Sequence, residues 1–169
     1  MQFGWVAANA PGTVGGRRAH PPKATRDWNL KINKKERKKA IRSALAGVVL
    51  SNKLILVEGK IENMKKVKDL KQIFNSLGFS LTSVKVKRAG RGKSRGRAVR
   101  YKKNPLVVVA SKCDLVMAVR NIPGYDVVDV KSLNTEILSL NHDNPRKCLF
   151  TEKAVDLMNK EKLFLGTEK

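Results

Sequence analysis

The apolar positions of this chain fall into two rhythms. Ile41, Ala44, Leu45 and Val48 recur at helical spacing, and Asn33 with Glu36 three residues on resembles a capping box that opens a helix before them. Val67, Leu70, Ile73, Phe74 and Leu77 repeat the pattern and predict a second helix from Met64 to Leu77, closed by Gly78. Between and after these lie short unbroken apolar runs. Leu54 to Val57 reads as a buried strand, Leu106 to Ala110 as another, and Asp126 to Val130 and Lys147 to Phe150 as two more. Leu81 to Val86 is a weaker strand candidate. Cys113 to Arg120 and Leu133 to Leu138 read as short helical pieces, Asn121-Ile122-Pro123-Gly124 as a turn, and Thr151 as the cap of a last helix carrying Ala154, Leu157 and Met158. Strands alternating with helices predict an α/β fold with a parallel sheet.

The first 28 residues have neither rhythm. Pro11, Gly12, Gly15, Gly16, Pro21 and Pro22 break helix and strand alike. Residues 1–28 therefore read as an extended arm that orders against a partner, and residues 29–169 as the globular domain.

Charge narrows the function. The chain of 169 residues carries 36 Lys and Arg against 14 Asp and Glu, a formal +22. The excess is not shared out: residues 1–105 hold 27 basic and 5 acidic side chains, and residues 106–169 hold 9 of each. Such self-repulsion speaks for a polyanionic partner and against a secreted protein or a free small-molecule enzyme. No apolar run approaches the roughly 20 residues that cross a bilayer, and no signal-peptide pattern opens the chain. Cys113 and Cys148 lack metal or redox spacing and read as small buried residues in a reducing compartment.

The basic segment 88–103, RAGRGKSRGRAVRYKK, has eight Lys or Arg in sixteen residues, and no acid occurs between Asp69 and Asp114. Arginine offers a planar fork to phosphate and a face that stacks on bases. Gly15, Gly16, Gly90 and Gly92 would let a backbone approach closely. The RNA-contacting set read from the sequence is Gly15, Gly16, Arg17, Arg18, His20, Lys23, Arg26 and Trp28 in the arm. Lys34, Lys35, Arg37 and Lys38 continue it on the first helix. Lys87, Arg88, Arg91, Lys93, Arg95, Arg97, Arg100, Tyr101, Lys102 and Lys103 complete it in and beside the basic segment. Trp5, Trp28 and Tyr101 lie beside cations, as suits base stacking, although Trp28 serves equally well as an anchor for the arm. Lys65, Lys66 and Lys68 alternate with acids and read as a solvated face.

Two catalytic patterns fail. Gly92-Lys93-Ser94-Arg95-Gly96 fits the spacing of a nucleophile elbow, but the preceding Lys87 to Arg91 cannot form the apolar strand that motif requires. Gly92-Lys93-Ser94 resembles the end of a P-loop, yet Lys87 stands where its first glycine belongs. His20 and His142 have no ligand spacing. No catalytic residue, metal site or cofactor is read from the chain.

The landmarks together have a familiar order. Gly12 to Lys23 (GTVGGRRAHPPK), Asn33 to Arg37 (NKKER) and Ile41 to Ala46 (IRSALA) resemble the archaeal form of the universal large-subunit ribosomal protein L-four family. So do Arg88 to Lys93 (RAGRGK), Arg95-Gly96-Arg97, Ala118 to Gly124 (AVRNIPG), Leu133-Asn134 and Phe150 to Ala154 (FTEKA). The resemblance implies a three-layer, Rossmann-like domain without a nucleotide site and without catalysis. It implies an arm that is the returning half of a loop threading large-subunit ribosomal RNA to the wall of the peptide exit tunnel. It also implies neighbouring ribosomal proteins as partners, a place in the cytoplasmic ribosome and no membrane. Two features depart from the family. The globular stretch that precedes the arm in family members is missing, which leads to the expectation that a separate chain supplies it and completes the sheet, or that the chain is a fragment. A Pro-Gly-Gly-His loop is replaced by Asn141 to Arg146. Competing readings are an RNA-modifying enzyme on a Rossmann-like domain and a general RNA chaperone. The first needs a glycine fingerprint at a strand end, where Glu58-Gly59-Lys60 and Ser111-Lys112-Cys113 stand instead.

Overall fold

The computed structural model describes residues 10–79, 84–140 and 145–165. Part of the strand expected at Leu81, and His142 with its loop, lie outside them, as does Trp5. The chain divides into two units, Met1–Ile32 and Asn33–Lys169.

In the larger unit the order is α1 (Lys34–Leu50), β1 (Leu54–Val57), a 3-10 turn (Gly59–Asn63), α2 (Val67–Ser76), β2 (Lys85–Lys87), β3 (Val99–Tyr101), β4 (Leu106–Val109) and α3 (Asp114–Arg120). Then follow β5 (Asp126–Asp129), a second 3-10 turn (Val130–Ser132), α4 (Thr135–Leu138), β6 (Cys148–Thr151) and α5 (Glu152–Lys160). Four strands form one sheet in the order β1-β6-β4-β5, every pair parallel. Leu54 and Leu106 both stand opposite Cys148.

The two central strands explain the three layers. Alternate side chains of a strand point to opposite faces. Leu106 and Val108 of β4, with Cys148 and Phe150 of β6, join Ile41, Val48, Leu133, Leu138 and Ala154 on the face covered by α1, α4 and α5. Val107, Val109 and Leu149 join Leu70, Phe74, Leu115 and Val119 on the face covered by α2 and α3. Each fully buried aliphatic or aromatic side chain here is worth about 1.5–3 kcal/mol. The Phe74 ring stacks on Tyr125 at 5.0 Å and meets Phe79 edge-on at 6.4 Å.

Several local expectations need correction. β1 is an edge strand, not a buried one, and Leu56 is 59% exposed. Asn33 caps α1 in position only, with no side-chain bond. The second helix begins at Val67 because the preceding residues are taken by the 3-10 turn and its exit. Val130 belongs to a 3-10 turn rather than to β5. Thr151 caps α5 as expected, its Oγ1 accepting from the Ala154 N–H at 3.3 Å, but it also belongs to β6, one residue beyond the expected strand.

Gly78 ends α2 as the helical pattern predicts. Its φ is +70°, the Gly78 N–H donates to the Asn75 carbonyl and the Phe79 N–H to the Phe74 carbonyl at 2.8 Å. That pair of bonds is a Schellman closure. A Cβ at Gly78 meets nothing within 4 Å, so only backbone strain opposes it. Gly78→Ala is expected to cost about 1–2 kcal/mol, read as a lowered urea midpoint with an unchanged slope; an unchanged midpoint would refute this.

Candidate nucleic-acid interface

The basic glycine segment, which the sequence pattern assigns to no helix or strand, is most of a β-hairpin. β2 and β3 pair antiparallel with Lys85 opposite Tyr101, Val86 opposite Arg100 and Lys87 opposite Val99. The Arg88 N–H extends the ladder to the Ala98 carbonyl at 2.8 Å, and the Lys102 N–H closes its base on the Val84 carbonyl. Strand alternation puts Lys85, Lys87, Val99 and Tyr101 on one face and Val86 with Arg100 on the other. No residue of either strand is buried. Lys87, Arg88, Ala89 and Arg100 line a shallow groove.

The tip is tied internally. The Lys93 N–H donates to the Gly90 carbonyl, the Arg97 N–H to the Gly92 carbonyl, and the Ser94 hydroxyl to the Arg91 carbonyl at 2.9 Å. This bond to its own turn further removes Ser94 from a nucleophile's role. Gly90 and Gly96 have φ of +83° and +75°, so the turn itself requires them. Gly92 differs: its φ is ordinary and a Cβ there meets nothing within 4 Å. Gly92→Ala is expected to leave stability within about 0.5 kcal/mol and to weaken RNA binding through the lost backbone approach. Binding unchanged in the stable variant would remove Gly92 from the interface.

The remaining sequence-predicted residues are placed as follows. Arg91, Lys93, Arg95, Arg97, Arg100, Tyr101 and Lys102 are all exposed. Lys103 is tied to the fold, its ammonium 2.8 Å from the Asp126 carboxylate. Lys34, Lys35, Arg37 and Lys38 are exposed on the first turns of α1. In the smaller unit the Thr13 hydroxyl donates to the Ala10 carbonyl and the Gly16 N–H to the Thr13 carbonyl. Gly15 has φ +74°, and a Cβ on Gly16 would lie 2.5 Å from the Ala10 carbonyl oxygen. Both glycines therefore serve this turn. Arg17, Arg18, His20 and Lys23 are exposed, and the Arg26 guanidinium lies over the Trp28 ring at 4.2 Å. That ring is 73% exposed.

Sequence reasoning missed Lys85, although Lys-Val-Lys alternation was its signal. It also missed two buried charged side chains. Arg146 sits in the segment set aside as a departure, yet it is a structural clamp. Its Nη1 is 2.7 Å from Asp126 Oδ2, its Nη2 donates to the Gly124 and Pro105 carbonyls, and its Nε donates to the Asn104 carbonyl. Burial opposes ionisation of Asp126, but hydrogen bonds and charge from Lys103 and Arg146 outweigh it and hold the carboxyl below its ordinary range. Burial raises the Cys113 thiol, and pushes Cys148 up to about 11 against the opposing Arg146 charge. Both cysteines thus remain protonated near neutrality, in keeping with a packing role.

The second buried group is Glu62. Parallel sheets of this kind take ligands outside the carboxyl ends of their strands. Here Glu62 Oε1 accepts from the Ala110 N–H at 3.2 Å and from the Thr151 hydroxyl at 2.6 Å, and Oε2 lies 3.6 Å from the Lys153 ammonium. The protein's own side chains bridge the ends of β4 and β6, where a Rossmann enzyme would place its ligand.

The family model described as the ribosomal protein L4/L1 family matches residues 4–161. Among curated relatives, the proteins named large ribosomal subunit protein uL4 from Nanoarchaeum equitans, Archaeoglobus fulgidus and Methanocaldococcus jannaschii are similar to this chain. They are 39%, 38% and 39% identical to it over 96%, 93% and 90% of its length. The chain spans 66–69% of each relative. Nothing in these comparisons supports a separate chain that would supply the rest.

Proposed function

The chain belongs to the ribosomal protein L4/L1 family, and on that basis we propose that it is a non-catalytic constituent of the large ribosomal subunit that binds and stabilises large-subunit ribosomal RNA. The observation that carries this reading is the hairpin. From Lys85 to Lys103 it presents ten Lys and Arg and no acid, on a two-stranded ribbon that buries none of its own residues. Isolated two-stranded ribbons are marginal in water, and mutual repulsion weakens this one further. A polyanion laid along it removes the repulsion and supplies the missing surface.

The arm adds the second contact. Its match to the family's returning loop supports a path through RNA toward the peptide exit tunnel. Arg and Lys displace counterions at phosphates, which fixes position, while Tyr101 and Trp28 offer faces to unpaired bases. With half of the 27 basic residues of positions 1–105 on phosphates, the log–log salt slope would be on the order of −10.

Crosslinking in cells followed by sequencing of the attached RNA tests the reading. We expect crosslinks in a few large-subunit RNA helices, carried by residues 1–28 and 88–103. Crosslinks scattered over messengers and transfer RNA would replace it with a general RNA binder.

A further inference from the structure

We propose that the β2–β3 ribbon is a wedge held between two separate RNA segments, one on each of its faces. This inference rests on the RNA-binding reading and deepens it, giving the hairpin two RNA contacts of equal standing rather than one.

The cross-strand pairs carry the argument. Lys85 stands opposite Tyr101, Val86 opposite Arg100 and Lys87 opposite Val99, and one step further on the Arg88 N–H reaches the Ala98 carbonyl. Every pair sets a cation against an apolar side chain. Like charges directly opposite each other destabilise a ribbon, and this arrangement avoids them while keeping four cations. Alternation then deals the pairs evenly between the faces. Lys85, Lys87, Val99 and Tyr101 form one face, and Val86, Arg88, Ala98 and Arg100 form the other. Each face has two cations and two apolar side chains.

A ribbon lying on one surface has a different pattern. It sorts its residues, apolar toward the cover and polar toward water. Here neither face is the wet one. Val86 and Ala98 are half-buried and the other six residues are exposed, and neither strand adds a side chain to either core cluster. A single RNA segment would leave one pair of cations in mutual repulsion and one pair of apolar side chains in water. Two segments cover both. Nucleic acid suits each face, because it offers phosphates to the cations and flat sugar and base surfaces to Tyr101 and the aliphatic side chains.

Duplex geometry points the same way. A two-stranded ribbon fits the major groove of B-form DNA, where both of its faces meet one molecule. A-form RNA closes that route, since its major groove is deep and narrow and its minor groove wide and shallow. In RNA, the slot for a ribbon about 10 Å thick is the space between two segments that tertiary folding brings together.

The test places the photoreactive residue p-benzoylphenylalanine at Ala98 or at Val99 of the full chain. These neighbours differ by one step along the strand and point to opposite faces. Each variant is bound to deproteinised archaeal large-subunit ribosomal RNA, alone and with the total proteins of that subunit, then irradiated, and its crosslinks are sequenced. We expect the two probes to crosslink in comparable yield to two RNA segments that are distant in the secondary structure. RNA crosslinks from one face only, or to a single segment from both, would overturn the wedge and leave the RNA reading standing. RNA crosslinks from neither would overturn both. Crosslinks from one face to a subunit protein instead of RNA would give that face to a protein and overturn the two-RNA slot. Charge supplies a second measurement that needs no probe. The Arg88→Gln, Arg100→Gln pair and the Lys85→Gln, Lys87→Gln pair are each expected to reduce the salt slope by about 1–2; an unchanged slope in either would take that face off phosphate and overturn the wedge.

Discussion

Arg146→Ala is expected to lower the free energy of unfolding by about 3–5 kcal/mol, the usual loss when one partner of a buried ion pair is removed. The Arg146 side chain is 3% exposed and holds four oxygens from three separate stretches, 104–105, 124 and 126. Alanine leaves three backbone carbonyls without this donor and Asp126 with Lys103 alone. Lysine cannot rescue the site, because one ammonium does not reproduce a planar fork with donors on three nitrogens. Urea unfolding of Arg146→Ala and Arg146→Lys measures both effects, and a loss under about 1 kcal/mol in either would show that the clamp is dispensable. The same cluster sets an acid limit. The Asp126 carboxyl titrates below its unfolded value, so its contribution is complete above the unfolded pKa and is lost as pH falls through the folded one. Asp126→Asn should flatten that part of the stability profile.

The second large effect is on binding. Replacing Arg88, Arg91, Arg95 and Arg97 by glutamine should reduce the salt slope by about 3–4 and the affinity for large-subunit RNA by about 10²–10³-fold at physiological salt. Stability should hold, because these side chains are exposed. The Lys66→Gln, Lys68→Gln pair at the start of α2 is the control, expected to change affinity less than twofold. Filter binding across a salt series decides the matter: a quadruple variant with the wild-type slope would mean that the hairpin charge is not on phosphates.

Much of the fold was legible because single residues settle it. The Leu106 to Val109 run is short and β-branched and reads as a strand buried on both faces, Gly78 follows the last apolar position of a helical stripe, and Thr151 announces the helix after it. The hairpin was less legible because its pairing is a relation across the loop between residues that are polar on most sides. No Asn-Gly or Asp-Gly turn marked it. Arg146 and Glu62 were illegible for a stronger reason. Their burial depends on acceptors and donors far along the chain, Asp126 and Asn104 for one, Ala110 and Thr151 for the other. Sequence patterns score a charge as surface until its partners are placed. The arm and the basic segment were easier, since charge composition survives without geometry.

The place of β6 in the sheet has a consequence for the order of events during synthesis. This strand lies between β1 and β4, yet it is the last of the four to be made. Until Cys148 to Thr151 emerge, β1 has no neighbour in the sheet, and only β4 and β5 can pair. Arg88 to Lys103 leave the synthesising machinery well before that. The cations are therefore available to a polyanion while the domain that carries them is still open, and docking can precede closure. Parallel pairings this distant along the chain are intrinsically slow to form, which widens the interval.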